Sequence, residues 1–203
     1  MSTLRRIFDG NRKEIWQELA RQLGADYVEA GFCKSDKVQV HVKDWTVTLD
    51  TYTVHANNAH IPHTRMRAPY VNADGFRFTI YRKGFFTDLG KFLGMQDFEA
   101  GFPEFDEAFV IKGNDEGKLR ALFSNSKIRQ LLEAQPAIHL SVRDDEGWFG
   151  KHFPDGVDEL RFDVVGHIKD IERLKLLYDL FAEVLNHLCH VGSAYEQDPN
   201  LAL

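Results

Sequence analysis

"KVQVHVKDWTVTLDTYTVHANNAHIPHTRMRAPYV", residues 37 to 71, alternates in polarity along much of its length and is rich in Val, Thr and Tyr. A period of two belongs to strands with one buried face, because successive side chains point to opposite sides of a sheet. Turn chemistry interrupts the pattern at Lys43-Asp44 and Asn57-Asn58, is present upstream at Ser35-Asp36, and recurs at Asp74-Gly75 before "FRFTIYR", residues 76 to 82. The stretch from Asp26 to Arg82 therefore predicts an antiparallel meander of four or five strands.

The flanks carry the helical period. "NRKEIWQELARQLG", residues 11 to 24, repeats Ile15, Trp16, Leu19, Ala20 and Leu23, with Asn11 and Glu14 as a capping pair and Gly24 as the stop. A short helix is expected in "FFTDLGKFLG", residues 85 to 94, followed by a Gly/Pro-marked junction, "EAGFPEFDE", residues 99 to 107. "AFVIKG" reads as a strand, and "DEGKLRALF" and "KIRQLLEAQ" as helices broken near Ser124-Asn125. "AIHLSVRDDEGWFG" reads as a hairpin and "ELRFDVVGHI" as another strand. "DIERLKLLYDLFAEVLNHLCHVG" closes the chain as its longest helix, with Ile171, Leu174, Leu177, Tyr178, Phe181, Val184, Leu185 and Leu188 on one stripe. Strands in succession, with helices between blocks, predict an α+β fold: an antiparallel sheet, packed helices and a long C-terminal helix. The junction near residue 101 suggests segments 1–100 and 101–203, either as two similar α/β halves or as one continuous domain.

Composition narrows the function classes. The 203 residues are 43% hydrophobic and 28% charged, with no apolar run of membrane-spanning length. The N-terminal segment lacks the apolar core of a secretory signal, so a cytoplasmic protein is expected. Two cysteines, Cys33 and Cys189, are too few for a disulfide framework. The formal charge is -6, with 14 basic against 12 acidic residues in 1–100 and 11 against 19 in 101–203. An acidic second half makes a nucleic-acid partner an unfavoured expectation, since such binding draws on Lys and Arg at phosphates.

Candidate motifs resolve mostly into structure. In "KGNDEGKL", residues 112 to 119, three residues separate the glycines where a phosphate loop needs four, and Leu119 replaces the magnesium-binding hydroxyl. Asn114, Asp115 and Glu116 instead suit a helix start. His187 and His190 with Cys189, and His60 with His63, are ligand types, but nothing in the sequence joins the pairs, and no metal or cofactor is assigned. Cys33 beside Lys34 reads as a core thiol. The acidic residues around "GWFGKHFP" read as a solvated hairpin tip, with Trp148 and Phe149 as a contact surface if exposed. The most suggestive cluster is in the meander: if "HTRMRAPYV" and "FRFTIYRKG" are neighbouring strands, Arg65, Arg67, Arg77 and Tyr81 share one face and form a patch for an anionic ligand or protein partner.

"FDEAFVIKGND" at Phe105 to Asp115, "WTVTLD" at Trp45 to Asp50, "RAPY" at Arg67 to Tyr70 and "DDEGWFG" give the chain a resemblance to an uncharacterised family of bacterial proteins. The resemblance covers nearly the whole chain. No activity is attached to that family, so it implies no catalytic residues; some of its members look membrane-anchored, and no anchor is expected here. The expected function is a non-catalytic binding or protein-interaction role using Arg65, Arg67, Arg77 and Tyr81. The alternatives are a small-molecule hydrolase, metal-dependent or not, built from His60, His63, His187 and Cys189, and a carrier of an apolar ligand.

Overall fold

The computed structural model describes residues 2–29, 36–56, 59–84, 95–144, 153–199 and 201, with the side chains of the first helix from Arg12 onward. The expected helix at 85–94, Cys33, and the tip bearing Trp148 and Phe149 lie outside the described residues.

The elements run α1 (Ser2–Leu23), β1 (Asp26–Val28), β2 (Lys37–Val42), β3 (Trp45–Ala56), β4 (Ala59–Asn72), β5 (Phe78–Arg82), β6 (Gln96–Phe98), α2 (Pro103–Ala108), β7 (Phe109–Gly113), α3 (Glu116–Ser124), α4 (Ser126–Glu133), β8 (His139–Arg143), β9 (Val157–Val165), α5 (Ile171–His190) and β10 (Ala194–Tyr195). All ten strands join one sheet in the order β1-β2-β3-β4-β9-β8-β5-β7-β6, and every pairing is antiparallel. β10 pairs with the end of β4, at Val71 and Asn72, beyond the residues that β3 covers. The architecture is α+β with a long C-terminal helix. Strands from before and after residue 101 interleave, since β5 lies between β8 and β7.

Local chemistry accounts for the element ends. Gly24 takes φ +61 after α1, a left-handed conformation that suits glycine and stops the helix. The helix begins at Ser2 rather than at the Asn11–Glu14 pair, continuing through Gly10. A glycine there costs about 1 kcal/mol relative to alanine, which lowers helix stability without ending it. Asn125 separates α3 from α4, and its side chain accepts from the amides of Lys127 and Ile128. Asp115, rather than Asn114, caps α3 by accepting from Lys118 N, so the segment with two glycines is the turn expected of it. Asn114 instead ties that turn to the strand entry before β5, accepting from Arg77 N and donating to Gly75 O. Pro103 at the first turn starts α2 within what reads in sequence as a junction.

The core lies on one face of the sheet. Val38, Leu49, Met66, Phe162, Leu140, Ile80, Ile111 and Phe98 stand in direct register across eight strands, and all but the half-buried Phe98 are buried. Trp16 and Leu19 of α1 and the stripe of α5 from Leu174 to Leu188 join them in one cluster. The apolar stripe of α5 is thereby used in packing, and the Tyr178 hydroxyl donates to Val38 O at 3.2 Å where the helix meets β2.

Candidate functional site: the charged face of the sheet

One residue along each strand, the register row changes character completely. Gln39, Thr48, Arg67, Arg161, Ser141, Thr79, Lys112 and Asp97 stand in line across the same eight strands. Strand alternation puts them on the opposite face from the core. Beside this row come Asp50, Arg65 and Asp163 on one side, and Glu159 and Arg143 on the other. Four guanidiniums and three carboxylates thus share the middle of the sheet, and several are deeply buried: Glu159 is 0%, Asp163 5% and Arg161 6% exposed.

Arg67 and Arg161 face each other across β4 and β9, a like-charge pairing that would oppose sheet formation on its own. Each is compensated from β3 or from its own strand. Asp50 accepts from Arg65 Nε at 2.8 Å, Arg65 Nη2 at 2.8 Å and Arg67 Nη2 at 2.7 Å. Asp163 accepts from Arg161 Nε at 2.6 Å and from the Tyr52 hydroxyl at 2.9 Å. The Tyr52 ring stacks on His63 at 5.0 Å between centroids, and Arg65 lies 4.9 Å from its centre. Such charge-assisted bonds are the strong ones, and the forked guanidinium suits a carboxylate.

The ionisation states follow. Burial works to raise the Asp50 carboxyl, but hydrogen bonding to Arg65 and the charges of Arg67 and Arg65 outweigh it and hold the carboxyl below its ordinary range. Asp163 behaves likewise, with Arg161 as the dominant opposing partner. Tyr52 is pushed up to about 12, mainly by burial and then by the Asp163 charge. Burial pulls His63 down, so it is neutral at pH 7.

Arg143 differs from the other three. Its sole hydrogen bond among the described residues runs from Nε to Ser141 Oγ at 3.0 Å, two residues back on its own strand. Burial, and then the nearby Arg161 charge, draw its pKa down, with the attraction of Asp163 and Glu159 too small to reverse this. Arg161 also keeps one buried nitrogen, Nη1, without a hydrogen-bond partner among the described residues. Diagonal neighbours on adjacent strands lie about 7–8 Å apart on one face, which is the relation of Arg143 to Arg161.

The four residues expected to form a patch divide into three places. Arg65 and Arg67 do share the charged face, both held by Asp50. Strands β4 and β5 are not neighbours: β9 and β8 lie between them, so Tyr81 is three strand spacings, roughly 14 Å, from Arg65. Tyr81 instead packs its ring edge-on to His139 at 6.2 Å. Arg77 lies outside β5 at the sheet margin, with Nε on Asp158 at 3.1 Å and Nη1 on Asp144 at 2.8 Å. The expected adjacency fails because Asp74-Gly75 is no hairpin turn. Asn72 Oδ1 accepts from the amides of Asp74 and Gly75, Asp74 Oδ1 accepts from Phe76 N, and the chain is led away across the sheet. Arg143 and Arg161, which fill the gap, carry the same alternation signal in "HLSVR" and "ELRFDVV"; only their strand partners are invisible in sequence.

The histidine pairs stay apart. His55 and His60 meet edge-on at 4.5 Å in the β3–β4 hairpin, and His187 and His190 lie 5.7 Å apart on α5. The chain leaving His190 forms β10 against the far end of β4. At about 3.3 Å per residue, the length of β4 from His63 to Val71 separates the two pairs by roughly 25 Å. His187 Nε2 bonds Ala121 O at 3.0 Å, tying α5 to α3. Among the described residues no group of three or more His, Cys, Asp or Glu is placed to hold a metal ion, and no helix is long and apolar enough to cross a membrane.

No family model matches the chain, and no curated protein matches it. Among solved structures it is similar to the crystal structure of the mycobacterial trehalose monomycolate transport factor A, TtfA, at 7% sequence identity and a TM-score of 0.48, over 86% of this chain and 96% of that one.

Proposed function

We propose that this is a non-catalytic, cytoplasmic binding protein that receives an anionic group on the charged sheet face at Arg143. One observation carries the reading: of the four arginines in the middle of that face, Arg143 has no carboxylate within ion-pair distance among the described residues, while Arg65 and Arg161 each have one and Arg67 has two, Asp50 and Glu159. A desolvated guanidinium next to a second one is unfavourable until an anion joins them, and binding supplies that charge. The strands beneath are fixed by the apolar register on the opposite side, so the donors are held rigidly in advance. The resemblance to an uncharacterised bacterial family remains part of this proposal and attaches no reaction to it.

Isothermal titration calorimetry with acetate, inorganic phosphate and sulfate tests the reading. Saturable binding of at least one anion, lost in Arg143→Ala and retained in Arg77→Ala, is expected. Heats of the same size in Arg143→Ala would remove the site.

A further inference from the structure

The charges around Arg143 restrict which anion the face accepts. With Asp50, Glu159 and Asp163 all ionised, Arg65, Arg67, Arg143 and Arg161 leave one positive charge in excess among the described residues of this cluster. The nearby titratable rings do not add to it. Burial holds His63 in its neutral form near pH 7, and Tyr52 keeps its proton, already given in a hydrogen bond to Asp163. Asp50 and Asp163 stay ionised because their arginine contacts hold them below the ordinary carboxyl range.

Building on the proposed anion-binding role, we infer that the ligand is a carboxylate, a planar monoanion taken by the unengaged end of the Arg143 guanidinium with Arg161 behind it. A single negative charge brings the cluster to neutrality. A phosphate dianion would leave it one charge negative, beside carboxylates that cannot move away because each is fixed on a strand. The second negative charge of a dianion is opposed by these carboxylates, because charges held apart from solvent interact strongly across the distance between neighbouring strands. Shape agrees with charge. The Nε of Arg143 is committed to Ser141 Oγ, so its two Nη groups form the available side, and a carboxylate presents two oxygens in one plane. Arg143 is half-buried, and Arg161, 6% exposed, keeps Nη1 unpartnered among the described residues.

Benzoate and phenyl phosphate share a ring and differ in the anionic group, and titrating both at pH 7.5 separates the possibilities. Benzoate is expected to bind about tenfold or more tighter than phenyl phosphate, the ratio that a 1.4 kcal/mol preference gives. Arg143→Lys, which keeps the charge but loses the fork, is expected to weaken benzoate, and Arg143→Leu to abolish it. A short peptide with a free C-terminal carboxylate, compared with its amide, tells a small carboxylic acid from a polypeptide end as the source. Binding of the acid but not the amide supports the inference and assigns a polypeptide source; equal binding of both overturns the carboxylate contact. Phenyl phosphate binding as tightly as benzoate would overturn the monoanion inference and leave the anion-binding reading standing. Failure of both ligands and the peptide would overturn both.

Discussion

The two faces of this sheet are built from the same strands, one residue out of step, and they solve opposite problems. Phe162 and Leu160 look into a core shared with α5, whereas Arg161, Glu159 and Asp163 on the intervening positions look into a cluster of charges. Burial itself stabilises the first face, at about 25 cal/mol per Å² of apolar area. On the second face burial costs energy, and the cost is offset only where each charge has a partner with good geometry. The core face therefore tolerates apolar replacements of similar volume, while the charged face depends on particular pairs.

The largest expected effect breaks the first face: Phe162→Ala should destabilise by about 3–5 kcal/mol in chemical denaturation, through lost transfer energy and the cavity left behind. Asp163→Ala should come next, at about 3 kcal/mol, because it strands the Arg161 guanidinium; the paired replacement Arg161→Met with Asp163→Leu should cost much less. If the pair replacement is as damaging as the single one, the charged face is not the compensated system described here.

pH sharpens the same contrast. Asp50 and Asp163 have folded pKa values below their unfolded ones, so their contribution is present above about pH 4 and is lost as pH falls through the folded values. Thermal denaturation should thus show an acid-side loss of stability that is smaller in the Arg161→Met, Asp163→Leu protein. A milder test lies outside both faces: Asn125→Ala should cost about 1 kcal/mol by uncapping α4. The smallest effect is expected at the proposed site. Arg143→Met should change stability by less than about 0.5 kcal/mol, or raise it, because the residue makes no ion pair among the described residues and is repelled by Arg161. A loss of several kcal/mol there would mark Arg143 as structural.

Much of the fold was legible from the chain. The alternation of Lys37 to Val71 gave β2, β3 and β4, the stripe of α5 gave the last helix, and Asn125 gave the break between α3 and α4, each because the signal is contained within a few neighbouring residues. The candidate site was legible only by halves. Arg65 and Arg67 were visible as residues on one face of a strand, yet Tyr81 and Arg77 were grouped with them on the supposition that consecutive strands pair. The alternation in Glu159-Leu160-Arg161-Phe162-Asp163 holds the same information, but period two states which side chains share a face and says nothing about which strand lies alongside.

The sequence by itself determined β2, β3, β4, α3, α4 and α5 and which of their sides are buried. Tertiary structure alone decided that β9 and β8 lie between β4 and β5, and hence that Arg143 and Arg161 replace Arg77 and Tyr81 beside Arg65 and Arg67. The reason is that periodicity arises from local geometry, whereas strand order is chosen by the packing of the whole apolar face, where Met66, Phe162, Leu140 and Ile80 must meet in one register from distant parts of the chain.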